Sequence, residues 1–127
     1  MKSTTTDIAL LLIRVGLALV FMAHGWDKVT NMADTVGFFS SIGLSAFWAY
    51  VVAYVELIGG LLMLLGIGTG WAGVALATAM VGAIVMVKLS KGFLGGYEFD
   101  LMLFLSAIAI SLAGAGSYTV KYLFRRG

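Results

Sequence analysis

The chain has no cysteine, no proline and a single histidine, His24. Without cysteine it forms no disulfide, no thiolate metal site, no Fe–S ligation and no covalent c-type haem attachment. One imidazole cannot supply a bis-histidine haem, so no metal site and no covalently bound cofactor are expected. A redox role would need a diffusible cofactor, a partner or a second copy of the chain. Without proline, nothing breaks helices sharply, and turns fall to Gly, Asn and Ser. Charge is also scarce, at 11% of residues. A soluble domain of this size would need more polar surface than that to cover its core.

What is present is apolar. Hydrophobic residues make up 61% of the 127 positions, and a bilayer is the solvent that suits such a surface. The formal net charge is +2, but no basic stripe is formed, so nucleic-acid binding has no support. The length allows one domain, 1–127, with no linker, low-complexity segment or convincing internal repeat.

Four apolar runs are long enough to span roughly 30 Å of hydrocarbon. They cover about residues 8–26, 46–66, 71–87 and 99–115. The first follows Asp7 and a run of threonines that offer N-caps. It reads as an uncleaved span rather than a signal peptide, because it is long, weakly basic in front and followed by no small-residue cleavage site. The connection from Asp27 to Ser45 mixes polar residues with Phe38, Phe39 and Ile42, and predicts a short interfacial helix ending in a Gly43 turn. Trp48, Tyr50 and Tyr54 suit an interfacial aromatic belt. The uncharged turn Gly66–Gly70 folds the third span back as a hairpin. On that span Ala72, Ala75, Ala79, Gly82 and Ala83 share a face, which suits close helix packing within the monomer or in a homo-oligomer. The fold class is therefore all-α, an antiparallel bundle of four transmembrane helices.

With four spans, both termini share one side of the membrane. Lys2, Lys121, Arg125 and Arg126 lie there, against Lys28, Lys88 and Lys91 opposite, a positive-inside bias of four to three that favours cytoplasmic termini.

Two charges interrupt the apolar runs. Arg14 and Glu56 would each cost roughly 2.5–3.5 kcal/mol at the bilayer centre. Measured from Asp7 and Gly66 at 1.5 Å per residue, Arg14 lies about 10 Å deep and Glu56 about 15 Å. An arginine can bridge that difference, so the two are expected to form a buried polar pair. Arg14, Ala18, Phe21, Gly25 and Lys28 share one face of the first span, and Val52, Glu56, Gly59 or Gly60, and Met63 share one face of the second. A second polar cluster, His24, Trp26, Asp27, Lys28, Lys88, Lys91, Tyr97, Glu98 and Asp100, gathers at the opposite membrane face from the termini. Within these groups, His24, Lys28, Glu56, Tyr97 and Glu98 form a candidate site for binding a polar headgroup or exchanging protons. No catalytic residue is assigned.

Several of these segments resemble the DoxX family of small four-helix membrane proteins. The resemblance is carried by RVGLALVFMAHGWDK at 14–28, FFSSIGL at 38–44, ELIGGLLMLLG at 56–66, and the later Gly92, Phe93 and Glu98. The sequence departs from the family pattern at Ser45, where a proline is common, and at Lys88, where a histidine is common. The resemblance implies a bacterial-type inner-membrane protein linked to redox assemblies, since the family name derives from a membrane subunit of thiosulfate:quinone oxidoreduction. Three functions stay open: a redox-associated component that binds quinone or anchors an oxidoreductase partner, a small-molecule binder or transporter, and a purely structural membrane subunit.

Overall fold

The computed structural model describes residues 4–126 of the chain, so Lys2 of the positive-inside count lies outside the described residues. Six helices succeed one another: α1 (Thr4–Thr30), α2 (Met32–Ser41), α3 (Ala46–Leu65), α4 (Thr69–Ala83), α5 (Glu98–Ala113) and α6 (Val120–Arg126). The helical course of α4 continues through a π turn, Ile84–Lys88, and a 3₁₀ turn, Leu89–Lys91. Four helical segments are long and apolar enough to cross a membrane: Thr4–Thr30, Ala46–Leu65, Thr69–Lys91 and Phe93–Ala113.

Glycine sets the helix spacing. In lipid the helices gain little from hydrophobic burial against one another, so close backbone packing must hold them. A Cβ on Gly25 would strike the backbone of Leu57, and one on Gly60 would lie 2.9 Å from the Met22 nitrogen. These reciprocal contacts fix the register of α1 against α3. The α4–α5 contact is built the same way: a Cβ on Gly73 would come within 2.6 Å of the Ala107 carbonyl oxygen. Ser111 Oγ, on α5, donates to the Gly70 carbonyl at 2.8 Å. Around these crossings lies a core of Leu10, Leu17, Ala18, Phe21, Met63, Leu76, Met80 and Ile110. Leu12, Leu19, Trp71 and Leu112 point outward, as lipid-facing residues should.

α2 is the short helix predicted between the first two spans. Asn31 Nδ2 donates to the Asp27 carbonyl at 3.0 Å and Thr35 Oγ1 to the Asn31 carbonyl at 3.0 Å, turning the chain with little interruption after α1. Gly43, at φ +85°, ends the segment, a backbone conformation that glycine adopts without strain. Phe39 is buried beneath α2.

Two sequence expectations are corrected. Asp7 does not cap α1, which begins at Thr4; its Oδ1 instead accepts the Ser117 N–H at 3.1 Å, across 110 residues of sequence. The small-residue face of α4 is not all packing surface. Ala72 is buried, but Ala75, Ala79, Gly82 and Ala83 line a cavity. Small side chains there leave room instead of drawing a neighbouring helix in.

Candidate functional site

The cavity has a volume of about 730 Å³ and is enclosed by α1, α2, α3, α4 with its π extension, and α5. Its walls are largely apolar: Val20 and Phe21 from α1, Phe38 and Phe39 from α2, Trp48, Val52 and Val55 from α3, Ala75, Ala79 and Met86 from the α4 segment, and Leu103 from α5. A volume of this order suits a drug-sized or cofactor-sized ligand.

Besides Thr78, five ionisable side chains interrupt those walls: His24, Lys28, Glu56, Lys88 and Asp100. Four of them form two ion pairs. Lys28 Nζ lies 2.7 Å from Glu56 Oε1, and Lys88 Nζ lies 3.4 Å from Asp100 Oδ2. In both pairs the carboxylate is the buried member, with Glu56 and Asp100 only 3% and 6% exposed. The lysines are the more exposed members of the two pairs. Glu56 lies ten residues after Ala46, about 15 Å along α3, so the pair with Lys28 sits well inside the bundle. The second pair depends on the π turn. An extra residue in a helical turn rotates the downstream residues by about 100° relative to an uninterrupted α-helix. Lys88, the last residue of that turn, faces Asp100 in the first turn of α5. His24 stands exposed at the rim, its ring centroid 6.4 Å from that of Phe99. The paired charges cancel, so the chamber is apolar in its walls and electroneutral in its polar patch.

Arg14 takes no part in this chamber, and the expected Arg14–Glu56 pair is not formed. Arg14 is completely buried. Its Nε donates to the Met63 carbonyl at 2.9 Å and Nη2 to the Leu64 carbonyl at 3.1 Å. Nη1 donates to the carbonyls of Ala115 and Tyr118 at 2.9 and 2.8 Å. The cause is the unmet hydrogen-bonding capacity at the end of α3. The last carbonyls of a helix have no partner within it, and those of α3 end inside the protein beneath residues 114–118. Arg14 supplies donors there and places a cation at the negative end of the helix dipole. Gly66 makes this fit possible. It closes α3 at φ +73°, and a Cβ on it would lie 2.5 Å from Arg14 Nη2.

The amino-acid sequence over residues 9–89 matches the DoxX family model. The chain belongs to the DoxX family. It is similar to a Bacillus subtilis protein named "Putative oxidoreductase CatD", with 45% identity over 109 residues, covering 86% of this chain and 81% of that one. It is 36% identical over 124 residues to "Uncharacterized membrane protein Rv3486" of Mycobacterium tuberculosis, covering 85% and 76% of the two chains. It is 26% identical over 127 residues to "Inner membrane protein YqjF" of Escherichia coli, covering 94% and 95%. No solved structure matches the chain. Together with its four candidate spans, this makes the chain a multi-span DoxX membrane protein.

Of the sequence-predicted site residues, His24, Lys28 and Glu56 line one chamber in this DoxX chain, whereas Tyr97 and Glu98 do not. Glu98 Oε1 accepts the Gly95 N–H at 2.8 Å and so stabilises the chain entering α5. Tyr97 packs edge-on against Phe93 at 5.5 Å. In their place stand Lys88 and Asp100, which the sequence grouped at the same membrane face without assigning them to the site. The signal that could have found Asp100 is its spacing: two residues after Glu98, it lies on a different face of α5. Among the described residues, no three His, Asp or Glu side chains converge to hold a metal ion.

Proposed function

We propose that the protein binds a lipophilic quinoid molecule in the chamber and serves as the membrane component of a quinone-linked redox assembly. The observation that carries this reading is the electroneutral polar patch set in an apolar, cofactor-sized cavity between transmembrane helices. An uncharged ligand with a polar ring and an apolar tail matches it: the ring meets the two ion pairs, and the tail lies along the valine, phenylalanine and alanine walls. His24 and the carboxylates give such a ring groups with which to exchange protons. The sequence offers no thiol and one imidazole, so electrons would pass through a partner oxidoreductase that carries the redox centre. The name of the Bacillus subtilis relative agrees with that assignment. In this reading both termini face the cytoplasm.

Trp48 lines the chamber, whereas Trp26 and Trp71 do not, so intrinsic fluorescence reports occupancy. Titration of the purified protein with a short-chain benzoquinone is expected to give saturable quenching that Trp48→Phe removes. Protein extracted from native membranes is expected to carry quinone detectable by mass spectrometry. A chamber that is empty on extraction and shows no saturable quenching would refute the reading.

A further inference from the structure

We infer that the chamber selects the reduced, dihydroxy form of its quinoid ligand, with Glu56 Oε1 and Asp100 Oδ2 as the acceptors for the two hydroxyl protons. This rests on the reading of the chamber as a quinoid site and adds which oxidation state it holds. Elsewhere in the bundle, buried polar groups have their hydrogen bonds. Asp7 Oδ1 takes the Ser117 N–H, and the three nitrogens of Arg14 all donate to carbonyls. Among the described residues, the buried side-chain atoms with no hydrogen-bond partner are Glu56 Oε1 and Asp100 Oδ2. Both residues line the same cavity. Each oxygen has a lysine ammonium beside it, but the contact lacks the geometry of a hydrogen bond.

Each oxygen is held by an ion pair and takes no hydrogen bond, so both keep acceptor capacity on one cavity wall, which indicates what the cavity accepts. A carboxylate can only accept hydrogen bonds. A quinone ring presents only carbonyl oxygens, which would set lone pairs against lone pairs at both positions. A quinol ring presents two O–H donors. A hydroxyl can donate to the carboxylate and accept from the neighbouring ammonium, satisfying both halves of an ion pair, whereas a carbonyl can satisfy the ammonium alone.

Calorimetric titration of the full-length protein in detergent, without oxygen, tests this with four ligands sharing one alkyl tail: the benzoquinol, its monomethyl ether, its dimethyl ether and the benzoquinone. The quinol is expected to bind at least tenfold more tightly than the dimethyl ether and the quinone, with the monomethyl ether between. Glu56→Gln and Asp100→Asn are each expected to narrow the gap between the quinol and its dimethyl ether. The comparison on the unmodified protein decides the matter if either variant fails to fold. Equal affinity for all four ligands overturns this inference and leaves the quinoid chamber standing. Absence of binding by any of them overturns both.

Discussion

Replacing Arg14 with methionine tests the account of how the bundle is held. The substitution keeps most of the side-chain length but removes all four hydrogen bonds, leaving the carbonyls of Met63, Leu64, Ala115 and Tyr118 without these donors. At a net value of about 1 kcal/mol each, four bonds amount to about 4 kcal/mol. Bonds from a charged donor are stronger than average, and relief of the buried guanidinium offsets part of that, so the expected loss is about 3–5 kcal/mol. Arg14→Lys should recover less than half of it, because an ammonium lacks the planar fork that reaches acceptors on two segments. Stability is measured by titrating SDS into mixed micelles and following helicity by circular dichroism. The decisive comparison is a double-mutant cycle with Glu56→Gln. Arg14 meets α3 at Met63, seven residues or about 10 Å from Glu56, and Lys28 cancels much of the Glu56 field. Coupling between positions 14 and 56 should therefore stay below about 1 kcal/mol. A coupling of about 2 kcal/mol or more, or an Arg14→Met protein as stable as the parent, would refute the account.

Other positions make separate demands. Gly25→Ala forces a Cβ into the Leu57 backbone and should cost about 1–3 kcal/mol by pushing α1 off α3, read in the same SDS titration. Lys28→Met strands the buried Glu56 carboxylate and should destabilise the protein by about 3 kcal/mol, while Lys28→Met with Glu56→Leu should restore stability yet weaken quinoid binding in calorimetry. Ala75→Leu places its extra atoms in the chamber, so stability should hold within about 1 kcal/mol while ligand affinity falls at least tenfold.

The four spans were legible because hydropathy over about twenty residues is a strong local signal, and glycine in a proline-free chain marks the turns. The helical faces were legible too. Arg14, Ala18, Phe21 and Gly25 of α1 are buried, as are Glu56, Gly59, Gly60 and Met63 of α3. Depth was not. Setting Asp7 and Gly66 at one level paired Arg14 with Glu56, but Asp7 lies level with Ser117, and Gly66 lies level with Arg14 itself. The intervening depth is filled by residues 114–118, a long-range contact with no local sequence signature. The same limit applies to the candidate site. Lys28 and Glu56 were each visible as misplaced polar residues, but their pairing depends on helix register. The Lys88–Asp100 pair depends on the π turn that carries Lys88, and nothing in the run Ile84–Lys88 announces that turn. The alanine and glycine face of α4 was legible as small, but smallness alone does not say whether a neighbour fills the space or leaves it open.

The Arg14 contacts also set an order of events during synthesis. Arg14 leaves the ribosome within the first helix, while two of its acceptors, Ala115 and Tyr118, follow 101 and 104 residues later. The nascent first helix must therefore enter the bilayer with a bare guanidinium, at an insertion cost of up to about 3 kcal/mol that its leucines can outweigh. The charge is fully covered only when residues 115–118 arrive. Chains cut short before residue 115 would keep a half-covered cation in the membrane, with only the Met63 and Leu64 carbonyls to accept from it.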